Sequence, residues 1–309
     1  MCSRPVERVA TIGRHMLSVG VQHGGTLAGN AMAHQSGASS GVLAPAHDAT
    51  PRGRLEGEVA VVTGAGSGIG AATADLFARE GASVVCVDLN PTALASTASR
   101  IVAAGGIAPL TLCVDMGDEM AVKDIGPHAV ARFGRVSILV NIAGIRDYDS
   151  VLDASEEQWD RLLGTNLKGY AWACKHLLPV MEAHGRGSVV NISSVFGVAK
   201  ARAEMPIYDA TKAGVVSLTR SLAIAHGPAI RVNALCPGFV ITEYHLARAK
   251  ESGLTEDEYR AQATSGDTSI LQRPADPTEI ARAILFLSCS DASFVTGSVL
   301  MVDGGLHTR

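Results

Sequence analysis

The segment VVTGAGSGIG, Val61 to Gly70, decides how the chain is read. An apolar, β-branched run stops at Thr63, a glycine cluster follows, and a helical pattern then continues as far as Gly81. Gly64, Gly68 and Gly70 suit a tight turn, a close backbone approach to a pyrophosphate, and a helix lying close on its strand. Free amides around Ser67, Gly68, Ile69 and Gly70, with the positive end of the helix macrodipole behind them, would face the anion. A glycine cluster alone is equally a structural turn, so the reading needs support from outside the loop.

Working outward, short β-branched runs alternate with helical segments along the rest of the chain. SVVCVDL, IAPLTLCVDM, VSILVNIAG, GSVVNISS, IRVNALCPG and SVLMVDGG read as strands. Helical patterns separate them, including one over EMAVKDIGPHAVARFG and a long block from Trp159 to Met181. Strands apolar at nearly every position suit a sheet covered on both faces. Strict β-α alternation makes that sheet parallel, so the fold class is α/β: a Rossmann-like, doubly wound parallel sheet in one domain over residues 55–309.

Residues 1–54 differ in character. The stretch HQSGASSGVLAPAHDATPRGR is rich in Ala, Gly, Ser, Pro and His, and only Glu7 and Asp48 are acidic before Glu56. It reads as a flexible N-terminal extension, and the same acid-poor composition with Arg4, Arg8 and Arg14 also fits a transit peptide or a start assigned too far upstream.

With 309 residues, 47% hydrophobic and 18% charged, the chain can bury a substantial core. A net charge of -4 without a Lys/Arg run argues against nucleic acid as a partner. No apolar stretch approaches ~18 residues, which argues against a membrane span. The 6 cysteines, free of any CxxC pair, read as buried hydrophobes in a reducing, cytoplasmic setting. Dispersed histidines and the lack of a ligand-spacing motif give the expectation of no metal.

The second strand ends in Asp88, where a carboxylate can accept hydrogen bonds from the adenosine ribose. The same charge would repel a 2′-phosphate, and Ser67 offers no cation to hold one, so the expected cofactor is NAD. Further along, PIYDATKAG places Tyr208 and Lys212 four apart, hence on one helical face. A nearby ammonium, reinforced by an oxidised nicotinamide, would lower the phenol pKa from its usual ~10 and make Tyr208 a general base. Ser193 and Ser194 close the strand GSVVNISS, at the carboxyl end where such sheets bind ligands.

In their order and number these motifs resemble the short-chain dehydrogenase/reductase superfamily, in its common single-domain branch. The resemblance runs from about Gly57 to Gly305 through Thr63–Gly70, Asp115, Asn141–Gly144, Asn166, Ser194, Tyr208, Lys212, the segment NALCPGFVIT and VDGG. It implies Tyr208 as acid/base, Lys212 as the group that tunes it and binds the nicotinamide ribose, Ser194 as the substrate-orienting hydroxyl, and Asn166 in a water-linked proton relay. Ser193 would stand behind. It further implies cofactor contacts from Asp115 to adenine, from Asn141, Ala143 and Gly144 along the dinucleotide, from Pro237 and Gly238, and from Val240 and Thr242 to the carboxamide. One departure is Ile142, where the family commonly carries a second asparagine.

The expected activity is reversible hydride transfer between a secondary alcohol, or its ketone, and NAD. The residues from Thr242 to Pro274 read as a mobile helical lid over a small-molecule substrate, with GIRDYDSVL and VAKARAEMPI as further walls. A 3-oxoacyl-thioester reductase using NADPH is the alternative enzyme, and a non-catalytic dinucleotide-binding protein the alternative class. The resemblance also implies a homo-oligomer, tetramer or dimer.

Overall fold

The computed structural model describes residues 53–265 and 269–308. The extension expected over residues 1–54 lies outside them except for Gly53 and Arg54, whose guanidinium pairs with Glu80 at 2.8 Å.

Alternation along the first strands builds two apolar layers at once. In β1 (Val59–Thr63) Ala60 and Val62 join one core cluster while Val61 joins the other; in β2 (Ser83–Asp88) Val84 and Cys86 oppose Val85 and Val87. Both faces therefore need helices, and long loops between strands supply them. One face carries α1 (Gly68–Arg79), α2 (Pro91–Ala103) and α10 (Pro277–Ser288); the other carries α3 (Glu119–Lys123), α4 (Ile125–Phe133), α6 (Gly169–Glu182) and α7 (Pro206–His226). With β3 (Leu110–Cys113), β4 (Ile138–Asn141), β5 (Gly187–Ile192), β6 (Ile230–Pro237) and β7 (Val299–Val302) the seven strands run parallel in the order β3-β2-β1-β4-β5-β6-β7. The order reverses between β1 and β4, which opens a ligand crevice beyond their carboxyl ends.

The fold is the doubly wound sheet expected, with local differences. Edge strands β3 and β7 are only partly buried, since each has one neighbour. The single helix expected over residues 119–134 breaks at Asp124, so that Pro127 falls in the first turn of α4, where its missing N–H costs no helical bond. The long block divides into α5 (Glu156–Leu163), a π-helical turn (Gly164–Lys168) and α6. The expected lid is two helices, α8 (Glu243–Glu251) and α9 (Glu256–Ser265). Among the described residues no helix is long and apolar enough to cross a membrane.

Candidate active site

The glycine loop is shaped by contacts that no side chain could share. Gly64 has φ +69°, and a Cβ there would lie 3.0 Å from the Ala143 backbone; a Cβ on Gly70 would lie 1.9 Å from the Gly64 carbonyl oxygen. Thr63 ties the loop to the turn after β4, its Oγ1 accepting from Ile142 N at 3.0 Å and Ala143 N at 3.2 Å. Ser67 precedes α1, is exposed and makes no side-chain capping bond.

Asp88 lies against this loop. Its Oδ2 accepts from Gly66 N at 2.9 Å and its Oδ1 from Asn90 N at 2.9 Å, while Asn90 itself caps α2. Both carboxylate oxygens retain lone pairs, and Asp88 is half-buried at the end of β2. Register places Cys113 beside Asp88, so Asp115 follows just beyond, exposed and closing a turn onto Gly117 N at 2.8 Å. The Gly68 amide donates to Oε2 of Glu243 at 2.8 Å, so a carboxylate already sits on the helix end.

The turn after β4 is held from beneath. Asn141 is fully buried and donates from Nδ2 to Asn191 Oδ1 at 2.9 Å; Asn191 donates onward to Thr219 at 3.0 Å. Its side chain thus faces the α6–α7 layer, away from the crevice, and the cofactor contact expected of Asn141 is left to its backbone. Asn166, in the π-helical turn, accepts from Ile145 N at 2.8 Å and donates to Ile145 O at 2.9 Å and to Thr211 at 3.3 Å. Its side chain fixes the strand-to-loop turn at Gly144 and Ile145, with both Nδ2 protons and one Oδ1 lone pair on protein groups.

Tyr208 and Lys212 project from the first turns of α7, with Lys212 Nζ 5.7 Å from the Tyr208 ring centre. Lys212 is buried and donates to Ile192 O at 2.9 Å and Tyr170 OH at 3.4 Å. Ser193 Oγ donates to Lys212 O at 2.7 Å, whereas Ser194 Oγ accepts from Phe196 N at 3.1 Å and lines the crevice with Tyr208, whose pKa it lowers. Ser194 is therefore the crevice-facing serine of the two.

The electrostatics depart from expectation. Burial of the Tyr208 hydroxyl raises its pKa above the ordinary phenol value, opposed first by Arg146, then by the Ser194 hydrogen bond and Arg202. Burial, aided by Arg146, drops Lys212 to about 7. The chain without a cofactor does not produce a depressed tyrosine, and the cations that work on it most directly are arginines rather than Lys212.

Those arginines, with His245, were not singled out by sequence motifs. Arg146 follows the β4 turn and Arg202 precedes α7; both line the crevice with Ile142, Phe196, Met205, Pro237, Gly238, Val240 and Thr242. Arg146 Nη1 lies 3.3 Å from His245 Nε2, and His245 Nδ1 lies 3.0 Å from Thr242 Oγ1. Arginine only donates, so Nε2 accepts from Arg146, while Nδ1 lies against both the Thr242 hydroxyl and the Thr242 amide, which donates to it at 3.3 Å. Burial and the neighbouring guanidinium lower His245 to about 4, which agrees with a neutral ring. Among the described residues no cluster of three metal-ligating side chains occurs.

A glycine-lined anion cradle, an acidic residue on the neighbouring strand and a Ser-Tyr-Lys group at the switch point define a dinucleotide-dependent α/β oxidoreductase. A family model described as Enoyl-(Acyl carrier protein) reductase matches residues 64–307. The chain is 38% identical over 255 residues to Short chain dehydrogenase/reductase astE of Aspergillus oryzae, covering 82% of this chain and 95% of that one. It is 41% identical over 249 residues to cis-4-hydroxycyclohexanecarboxylate dehydrogenase of Sinomonas cyclohexanicum, covering 80% and 95%. Carveol dehydrogenase from Mycobacterium avium, solved in complex with NAD, superposes with a TM-score of 0.76 at 31% identity, covering 83% of this chain and 100% of that one. The chain belongs to the short-chain dehydrogenase/reductase superfamily and is an NAD(P)-dependent oxidoreductase acting on CH–OH groups.

Proposed function

We propose that the chain interconverts a secondary alcohol and its ketone with NAD, using Tyr208 as the proton-transferring group. The observation that carries this reading is that Ser194, Tyr208 and Lys212 line one crevice at the switch point together with Ile69, beside the glycine loop, and Gly144.

The residues present fit a dinucleotide. The Glu243 carboxylate on the Gly68 amide stands where a pyrophosphate oxygen would, and a Cβ on Gly66 would lie 2.9 Å from Asp88. Asp88 would take the adenosine ribose hydroxyls, Asp115 the adenine edge, Lys212 the nicotinamide ribose, and Pro237, Gly238, Val240 and Thr242 the nicotinamide end. Bound NAD supplies the hydride acceptor, and in its reduced form the hydride donor.

Ser194 donates to the substrate oxygen and holds it beside the phenol. In oxidation Tyr208 accepts the hydroxyl proton as the carbinol carbon loses hydride; in reduction the same phenol returns a proton to the ketone oxygen. Arg146 favours the phenolate through its charge, Lys212 would hold the nicotinamide ribose, and Asn166 keeps the Gly144–Ile145 backbone in place beneath the site.

Preference for NAD follows from Asp88 and the absence of a cation at Ser67. The family model's description favours a second reading, reduction of an acyl thioester with NADPH, which those two positions oppose. A panel of secondary alcohols, ketones and 3-oxoacyl thioesters scored with NAD(H) and NADP(H) tests both. NAD-linked turnover of an alcohol supports the reading; turnover confined to thioesters and NADPH replaces it.

A further inference from the structure

Two guanidinium groups meet in the substrate half of the crevice without an anion between them. Arg146 comes from the loop after β4 and Arg202 from the loop before α7, and the adjacency of β4 and β5 brings the loops together. The Arg146 Cζ is 5.9 Å from the Tyr208 ring centre and 5.2 Å from that of Tyr244, and its polar contact is with the neutral His245. Arg202 lies over the Phe196 ring, Cζ 3.4 Å from the ring centre, and its Nη1 is 3.3 Å from the Met205 sulfur. Neither forms an ion pair among the described residues.

The nearby acids are engaged elsewhere. Asp147 pairs with Arg161 at 2.5 Å, Asp149 accepts from Gln158, and Glu204 is exposed. Asp209 accepts the Arg202 backbone amide at 2.8 Å without an ion pair to its guanidinium. Arg202 feels its burial, which lowers its pKa. Half-buried guanidinium groups with most donors unspent are costly unless an anion completes them. The aromatic face under Arg202 also fixes its fork, which presents two parallel donors to a planar acceptor.

We propose that the substrate carries a carboxylate, bound by Arg146 and Arg202, with its carbinol carbon at Ser194 and Tyr208 and a hydrocarbon spacer against Ile142, Ile145 and Met205. The inference rests on the dehydrogenase reading above for the position of the carbinol. Two arginines offset in part by Asp209 leave about one positive charge, which matches a carboxylate monoanion better than a phosphate dianion. A hydroxy acid is thereby favoured over the neutral alcohol of the same shape.

Calorimetric titration of the full chain, with and without saturating NADH, uses cyclohexanecarboxylate, cyclohexanecarboxamide and cyclohexyl phosphate as probes. The carboxylate is expected to bind at least ~10-fold tighter than the carboxamide, as charge-assisted bonds exceed neutral ones. Arg146→Gln and Arg202→Gln should each remove most of that ratio, and Arg202→Lys should keep part of it; melting curves check that the variants fold. Equal binding of acid and amide, no binding of the acid, a ratio surviving both Gln variants, or tighter binding of the phosphate ester overturns the proposal. Because binding is read without turnover, the two readings fail separately. A carboxylate ratio without hydride transfer to NAD from any alcohol sinks the dehydrogenase reading alone, and oxidation of alcohols with indifference to charge sinks this one alone.

Discussion

The Glu243 carboxylate accepts a hydrogen bond from the Gly68 amide at 2.8 Å, so the first residue of α8 rests on the first residue of α1. A carboxylate at that helix end competes with a cofactor pyrophosphate for the same amide and the same dipole. Glu243→Gln should therefore tighten NAD binding by roughly 2- to 5-fold, the size of a 0.3–1 kcal/mol helix-end charge effect. Fluorescence titration with NADH reads it; weaker binding would mean that Glu243 assists the cofactor.

Asp88 offers a second test because its carboxylate braces Gly66 N and Asn90 N beside the glycine loop. Asp88→Asn keeps the acceptor at one oxygen and removes the repulsion of a 2′-phosphate. Like charges in contact cost several kcal/mol, so the NADP to NAD ratio of kcat/KM should rise by about tenfold or more. An unchanged ratio would remove Asp88 from cofactor choice.

The raised Tyr208 pKa sets the sign of a pH profile. Alcohol oxidation needs phenolate, so kcat/KM should climb with pH through neutrality into the alkaline range, whereas ketone reduction, which needs phenol, should fall only on the alkaline side. Arg146 lowers that pKa, so Arg146→Gln should displace the oxidation limb to higher pH. Displacement to lower pH would contradict the assignment.

Lys212 links the site to stability. Its folded pKa of about 7 lies below the ~10.4 of an unfolded lysine, so between those values the unfolded chain binds the extra proton and stability rises with pH. The melting temperature of the parent chain relative to Lys212→Met should then increase across that window and level off below about pH 7. A difference independent of pH would show that the ammonium stays charged when folded.

What the sequence disclosed, and what it hid, follows from range. The glycine loop, Asp88 and the Tyr208–Lys212 pair are local patterns whose spacing carries their geometry, and β-α alternation carries the sheet. Asn141 was legible in principle: alternation puts it with Leu139 on the face covered by α6 and α7, which excludes its side chain from the crevice. Arg146 and Arg202 carry no such mark. They lie in loops without periodicity, and only the adjacency of β4 and β5 makes them neighbours. The split at Asp124 and the π-helical turn at Asn166 were hidden because helical periodicity continues across both.

The central claim is proton transfer by Tyr208 beside a bound nicotinamide, and Tyr208→Phe tests it most directly. NADH binding to the variant, read by fluorescence, should stay close to that of the parent chain, while turnover of any alcohol the parent oxidises should fall by ~10² or more. Near-parental turnover with binding intact would contradict the account.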